Sequence, residues 1–193
     1  MRLLLPFALV LSMSGGDIER AQQVARGRDS ERQQFHRRYV FELRDATVAQ
    51  IEVITEFRRL VLITEEHILR GDWMFSRSVP TGEQAIAPFR GFVTLRGTVR
   101  FNPLNTYIAP PPYQMALGAA AGGTATFPLD TRVSPQYSVP FKARDGKTAS
   151  TLVGATLEAD IPSVQLAQTS RAVAVALEGK ELGRVTVEFG RLD

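Results

Sequence analysis

The stretch from Val93 to Phe101 constrains the fold of this chain more than any other. Val93, Leu95, Gly97, Val99 and Phe101 alternate with Thr94, Arg96, Thr98 and Arg100. A period of two sends successive side chains to opposite faces of a strand. One face is therefore dry and the other wet and basic, as in an antiparallel sheet with one side on a core. Such a strand needs paired neighbours and a second layer over its dry face.

Several segments qualify as neighbours. Thr47 to Ile54 is β-branched, with Ala49, Ile51 and Val53 on one face. Thr124 to Val133 and Thr151 to Ala159 read as strands. Ala172 to Leu177 and Arg184 to Phe189 form a hairpin through Glu178-Gly179-Lys180-Glu181, with Val185, Val187 and Phe189 facing inward. Pro110-Pro111-Pro112 denies the stretch from Thr106 to Leu117 a central sheet position. Gly118 to Gly123 reads as a small-residue loop, and residues 134–150 as a long loop turning at Asp145-Gly146. The expected fold is mainly β: a β-sandwich of immunoglobulin-like type, with one or two helices near the N-terminus. An α+β arrangement is the alternative.

The helical signals come early. Phe57, Leu60, Val61, Thr64 and Ile68 recur at helical spacing and Gly71 stands at a C-capping position, which predicts a helix over 56–70. The run Leu60-Val61-Leu62-Ile63 suits a buried strand as well. Thr81 with Gln84 forms a capping box that opens a short helical turn.

Three regions emerge. Residues 1–16 carry Arg2, the apolar run Leu3 to Leu11 and the small residues Ser12, Ser14, Gly15 and Gly16, the composition of a signal peptide or an apolar N-terminal tail. The apolar run is too short to span a hydrocarbon core of about 30 Å. Residues 17–38 form a polar, basic arm, helical or flexible. Asp17 is one candidate N-cap, and Ser30 with Gln33 a second capping box. Between Arg20 and Arg38, six arginines face only Asp29 and Glu31, and Ile18, Val24 and Phe35 make a thin apolar stripe. Residues 39–193 form the β-rich domain.

Composition mainly excludes. The chain has 193 residues, 44% of them hydrophobic, enough for a core that buries roughly 70% of the unfolded surface. With no cysteine, thiolate zinc sites, iron–sulfur clusters, disulfides and cysteine nucleophiles are excluded. The formal charge is only +3, too little to support nucleic-acid binding, and no nucleic-acid partner is expected. His36 and His67 are the two histidines. Glu66-His67 lacks a second histidine four residues on, so the helical metalloprotease pattern is missing. No G-x-S-x-G occurs, and the glycines of 118–123 lack the lysine of a phosphate cradle. Neither cofactor nor metal is expected. Glu158, Asp160, Asp130 and Asp145 are the carboxylates that a glycan hydrolase would draw on.

Binding residues remain. Arg20, Arg26, Arg28, Arg32, Arg37 and Arg38 suit an acidic protein surface or an anionic membrane surface. Trp73, Tyr107 and Tyr113 lie in or beside loops, where aromatics serve as lids or binding surfaces. The expected function is a non-catalytic, exported (periplasmic or extracellular) module that binds or supports another protein, such as an accessory subunit of an envelope or membrane-associated complex. A glycan- or small-ligand-binding module and a carboxylate-based glycan hydrolase are the alternatives.

Overall fold

Four helices and two antiparallel sheets make up most of the chain, in a computed structural model that describes residues 13–43, 47–102, 104–119, 126–142, 146–166 and 170–192. The first half holds α1 (Gly15–Ala25), α2 (Asp29–Arg37), β1 (Val40–Glu42), β2 (Val48–Ile54), α3 (Glu56–Leu69) and α4 (Val79–Ile86). The rest is strand: β3 (Phe92–Arg100), β4 (Tyr113–Ala119), β5 (Thr126–Pro128), β6 (Arg132–Tyr137), the short pair β7 (Phe141–Lys142) and β8 (Thr148–Ala149), then β9 (Leu152–Pro162), β10 (Ser170–Leu177) and β11 (Lys180–Glu188).

The larger sheet has the order β1-β2-β3-β9-β6 and the smaller one β11-β10-β4-β5. The alternating segment is β3, and it pairs with β2 on one side and β9 on the other. Its dry face holds Val93, Leu95 and Val99, which share one core with Ile51, Val53, Leu157 and Ala159 of the same sheet. Met115, Val173, Val175 and Val187 of the smaller sheet complete that core. Gly97 has a positional reason. A Cβ there would sit 3.4 Å from both Leu157 and Val175, so position 97 faces the seam between the two sheets, with room for little more than a methyl group.

The protein is mostly β with several antiparallel sheets, but the helical part is larger than expected. Four α-helices, not one or two, extend to residue 86, and α3 and α4 lie between β2 and β3. The reason is a second core. Ile18, Ala21, Ala25, Phe35, Phe57, Leu60, Val61 and Ile86 bury one another, so each amphipathic segment finds helical partners. The thin apolar stripe at residues 18–35 is wide enough once α3 covers it. The segment 56–70 is a helix, capped by Thr55, whose Oγ1 accepts from the Arg58 N–H at 3.2 Å. Gly71, at φ 84°, follows its C-cap.

Helix starts differ from the capping patterns expected. α1 is capped by Ser14, with Asp17 at N3 returning a bond to the Ser14 N–H at 3.0 Å. In α2, Glu31 does the same for Arg28 at 3.0 Å. α4 is capped by Ser78 rather than Thr81. In α1 and α2 the N-cap lies three residues before the acid that closes the box, and in α4 the Ser78 hydroxyl accepts from the Thr81 N–H.

Three strand assignments change as well. Of the expected strand Thr124 to Val133, residues 124 and 125 lie outside the described residues, and the rest does not form one strand. β5 and β6 go to different sheets, and Thr131 makes the break, its hydroxyl accepting from Met115 N–H at 3.0 Å and donating to Leu129 O at 2.9 Å. β4 is an interior strand, between β10 and β5, because the proline run stops at Pro112 and leaves Tyr113 to Ala119 with all their donors. Within the expected loop 134–150, Pro135 instead extends β6, an edge strand that tolerates a missing N–H. Asp145 lies outside the described residues.

Candidate functional site: a cavity between two basic helices

α1 places Ile18, Ala21, Gln22 and Ala25 on its buried side, at the i, i+3, i+4, i+7 spacing of one helical face. That face packs on α3 and α4. Gln22 fixes it, its Nε2 donating to Phe75 O and Ser78 O, both at 2.9 Å. The neighbouring side of α1 carries Arg20, Gln23 and Val24. After the bend at Gly27, α2 turns Glu31 and Phe35 towards them. These six residues enclose an open cavity of about 280 Å³. Gly27 is one of them, and a Cβ there would meet Val24 O at 3.0 Å and the Glu31 carboxylate at 3.1 Å.

The arginines divide into two groups. Arg20 is ion-paired with Asp17 at 3.2 Å, and its guanidinium lies 4.9 Å from the centre of the Phe57 ring. Hydrogen bonds from Ser14, reinforced by Arg20, hold the Asp17 carboxyl below its ordinary pKa. Arg32 pairs with Asp29 and lies 3.7 Å from Glu65 of α3. His36 joins that clamp, its Nε2 3.1 Å from both Glu65 oxygens. The second group has no such partner. Arg26, Arg28, Arg37 and Arg38 are exposed and, among the described residues, form no ion pair with a carboxylate. Arg26 donates only to the backbone, to Gln22 O at 3.2 Å. Arg38 covers the Phe35 ring at 5.3 Å and the Tyr39 ring at 5.8 Å.

The three aromatics fall elsewhere. Trp73, beyond the end of α3, is half exposed beside exposed Leu69 and Met74. Tyr107 is half exposed and meets Phe101 edge-on at 5.1 Å. Tyr113 is buried at the start of β4, stacked on Phe101 at 6.0 Å, and burial pushes its hydroxyl pKa up. It belongs to the sheet core, not to a loop surface. No ring or cation–π contact joins these three to the arginines of α1 and α2 among the described residues.

A second polar constellation covers the outer face of the larger sheet. The basic residues of β3 meet the acidic residues of β9, since Arg96 stands opposite Glu158 and Thr94 opposite Asp160. Arg96 binds Glu158 at 2.7 Å, and Arg132 of β6 binds Asp160 at 2.9 Å and lies 3.8 Å from Glu158. Arg59 of α3 donates to Thr94 Oγ1, which in turn donates to Asp160. Burial pushes the Asp160 pKa up, but the Thr94 and Arg132 hydrogen bonds and the charges of Arg132 and Arg59 outweigh it. The net shift is downward. His67, the other histidine, stacks on Phe75 at 3.9 Å with Nδ1 2.9 Å from Asp72. Among the described residues, no three His, Asp or Glu side chains converge as a metal site would require.

Sequence reasoning singled out the arginines but missed the cavity, which Arg20 alone among them lines. Its signal was present in two capped helices broken at Gly27, with Val24 and Phe35 on facing sides. No family model, curated protein or solved structure matches the chain.

Proposed function

We propose that the protein is a non-catalytic, exported module that binds another protein through the face formed by α1 and α2. One observation carries this reading: α1 and α2, which enclose a largely apolar cavity, also expose Arg26, Arg28, Arg37 and Arg38 with no carboxylate partner among the described residues. Exposed guanidinium groups that have no carboxylate partner of their own are available to acidic groups of another molecule. A membrane surface fits less well. A helix lying on lipid needs an outward apolar face, whereas Ile18, Ala21, Ala25 and Phe35 are turned inward. Asp160 does not suit the general acid of a carboxylate hydrolase, because that role needs a raised pKa and its own is lowered.

The remaining parts of the proposal rest on the sequence. Export rests on residues 1–16, of which Ser14 is also the α1 cap and Gly15 and Gly16 its first turn. We read the two sheets as a β-sandwich, which their shared core supports. The helical insertion between β2 and β3 departs from an immunoglobulin-like connection, which uses loops.

The test is affinity purification of the tagged full chain from its native host, after mild cross-linking. A partner recovered in fixed ratio is the expected result. A chain recovered alone that releases reducing ends from a host glycan overturns the proposal.

A further inference from the structure

We infer that the β7–β8 ribbon and the loop 104–108 together dock on an anionic lipid surface, through residues that the α1–α2 face does not share. β7 and β8 form a two-stranded sheet of their own, outside both main sheets. They continue the pairing of β6 with β9: Ser138 N–H donates to Thr151 O at 2.8 Å, and Phe141 stands opposite Ala149. A two-stranded ribbon is marginal in water unless something covers its apolar side chains. Val139 is 85% exposed, and Tyr137 and Phe141 are half exposed. The loop is tied to the base of the same ribbon. Asn105 Nδ2 donates to Leu152 O at 3.0 Å, and Phe101 N–H to Val153 O at 2.9 Å. It presents Leu104 at 89% and Ile108 at 96% exposure, with Tyr107 half exposed. Six large apolar side chains therefore stand in the solvent where β3 and β6 end and β9 begins.

Charge and residue type select lipid. From Phe101 to Leu129 the sequence holds no charged residue, and from Val133 to Leu157 it holds four: Lys142, Arg144, Asp145 and Lys147. Arg144 and Asp145, outside the described residues, cancel in this count, so three cations less one acid give the ribbon +2. Lys142 and Lys147, on either side of the turn at Gly146, are two of only three lysines in the chain. Lysine is depleted at protein–protein interfaces, whereas lysines beside aliphatic and tyrosine side chains are the make-up of a contact with a bilayer interface. Side chains that project separately from a loop and a ribbon also suit a fluid surface, which adapts to them. A protein partner would need a shaped recess for each. An open ribbon leaves backbone groups unpaired along its edges, so it lies on the bilayer and does not cross it. The apolar tips then sit below the headgroups and the lysines among the lipid phosphates.

The experiment is sedimentation of the folded full chain with phosphatidylcholine vesicles, prepared with or without phosphatidylglycerol. The wild type should bind the phosphatidylglycerol vesicles at least about tenfold tighter, and more weakly as salt rises. Ile108→Asp/Val139→Asp should lose at least about tenfold on these vesicles. Lys142→Glu/Lys147→Glu should abolish the preference for phosphatidylglycerol. All four positions are exposed, and an unchanged thermal melt shows that the variants fold. If the aspartate variant melts low, Ile108→Ser/Val139→Ser is read in its place. Arg26→Glu/Arg28→Glu, on the α1–α2 face, should bind vesicles as the wild type does. Failure of the wild type to bind vesicles overturns the inference. Undiminished binding by Ile108→Asp/Val139→Asp assigns the lipid contact to residues 1–16 or to the basic helices and also overturns it. So does a host protein that the wild type recovers and Ile108→Asp/Val139→Asp loses while vesicle binding is unchanged, since the surface then belongs to a protein. None of these outcomes bears on the α1–α2 reading, which fails separately if the host purification recovers no partner.

Discussion

Replacing Gln22 by Leu probes the attachment on which the α1–α2 face depends. Gln22 is almost wholly buried, and its Nε2 holds two backbone carbonyls, Phe75 O and Ser78 O, at 2.9 Å each. Leucine keeps most of the volume, so the change removes hydrogen bonds rather than opening a large void. Both carbonyls keep a second partner: Ser78 N–H donates to Phe75 O at 3.3 Å and Gly82 N–H to Ser78 O at 3.0 Å. Neither is left bare, and each lost bond should cost its typical net value of about 1 kcal/mol, about 2 kcal/mol in all. In urea, with a slope of about 2 kcal/mol/M, the midpoint should fall by about 1 M at unchanged slope. The melting temperature should fall by about 4–8 °C for a chain of this size. Gln23→Leu is the control. Its side chain is exposed on the cavity side, and its effect should stay within about 0.5 kcal/mol. A Gln22→Leu protein within about 0.5 kcal/mol of wild type would show that the two bonds do not secure α1. A loss above about 4 kcal/mol would instead show that the second partners fail to hold the carbonyls.

Tyr39→Phe should be neutral or stabilise by up to about 1 kcal/mol, because the hydroxyl is buried without a hydrogen-bond partner; chemical denaturation reads this directly. Arg58→Ala should cost about 3 kcal/mol, since its buried guanidinium donates to Val53 O at 2.6 Å and pairs with Glu52 at 3.0 Å; Glu52 would be left uncompensated under α3. Gly82→Val should destabilise strongly, seen as a lowered melting temperature. A Cβ there would lie 2.8 Å from the buried Ile18 and 3.0 Å from Gln22 Nε2, which its two hydrogen bonds lock in place. Asp160→Asn should narrow its stability gap to wild type in acid. The folded pKa of Asp160 lies below its ordinary 3.8, so its contribution is complete above that value and is lost as pH falls through the lowered pKa. A gap that is constant down to the acid transition would refute the Arg132–Asp160 pairing as its source.

Local periodicity was informative wherever one element met one layer. The alternation of β3 and the helical spacing of Phe57, Leu60, Val61 and Thr64 reappear in the fold, as does the hairpin of β10 and β11, though its turn is Glu178-Gly179 alone and Lys180 and Glu181 already pair within β11. The turn residues carry positive φ, 50° at Glu178 and 79° at Gly179, as a two-residue hairpin requires. Legibility failed where the decisive contact was remote. Thr124 to Val133 has strand composition throughout, yet the Thr131 hydroxyl divides it between two sheets by binding β4. The stripe of Ile18, Val24 and Phe35 is too thin for an isolated helix pair. Its burial depends on Phe57, Leu60 and Val61, more than twenty residues downstream of Phe35.

The same distinction applies to the candidate site. That residues 17–38 are rich in arginine, and that β3 has one basic face, is written in the chain, because charge and period are local properties. Which arginines are satisfied is not local. Arg96 and Arg132 find Glu158 and Asp160 only through the register of β3 and β6 on β9. Arg20 and Arg32 find acids within their own helices, while Arg26, Arg28, Arg37 and Arg38 find none. The sequence by itself determined which faces are dry and which are charged. Only the tertiary structure decided what covers each face, because pairing and burial depend on segments far apart in the chain, and that choice leaves the cavity of Val24 and Phe35 open.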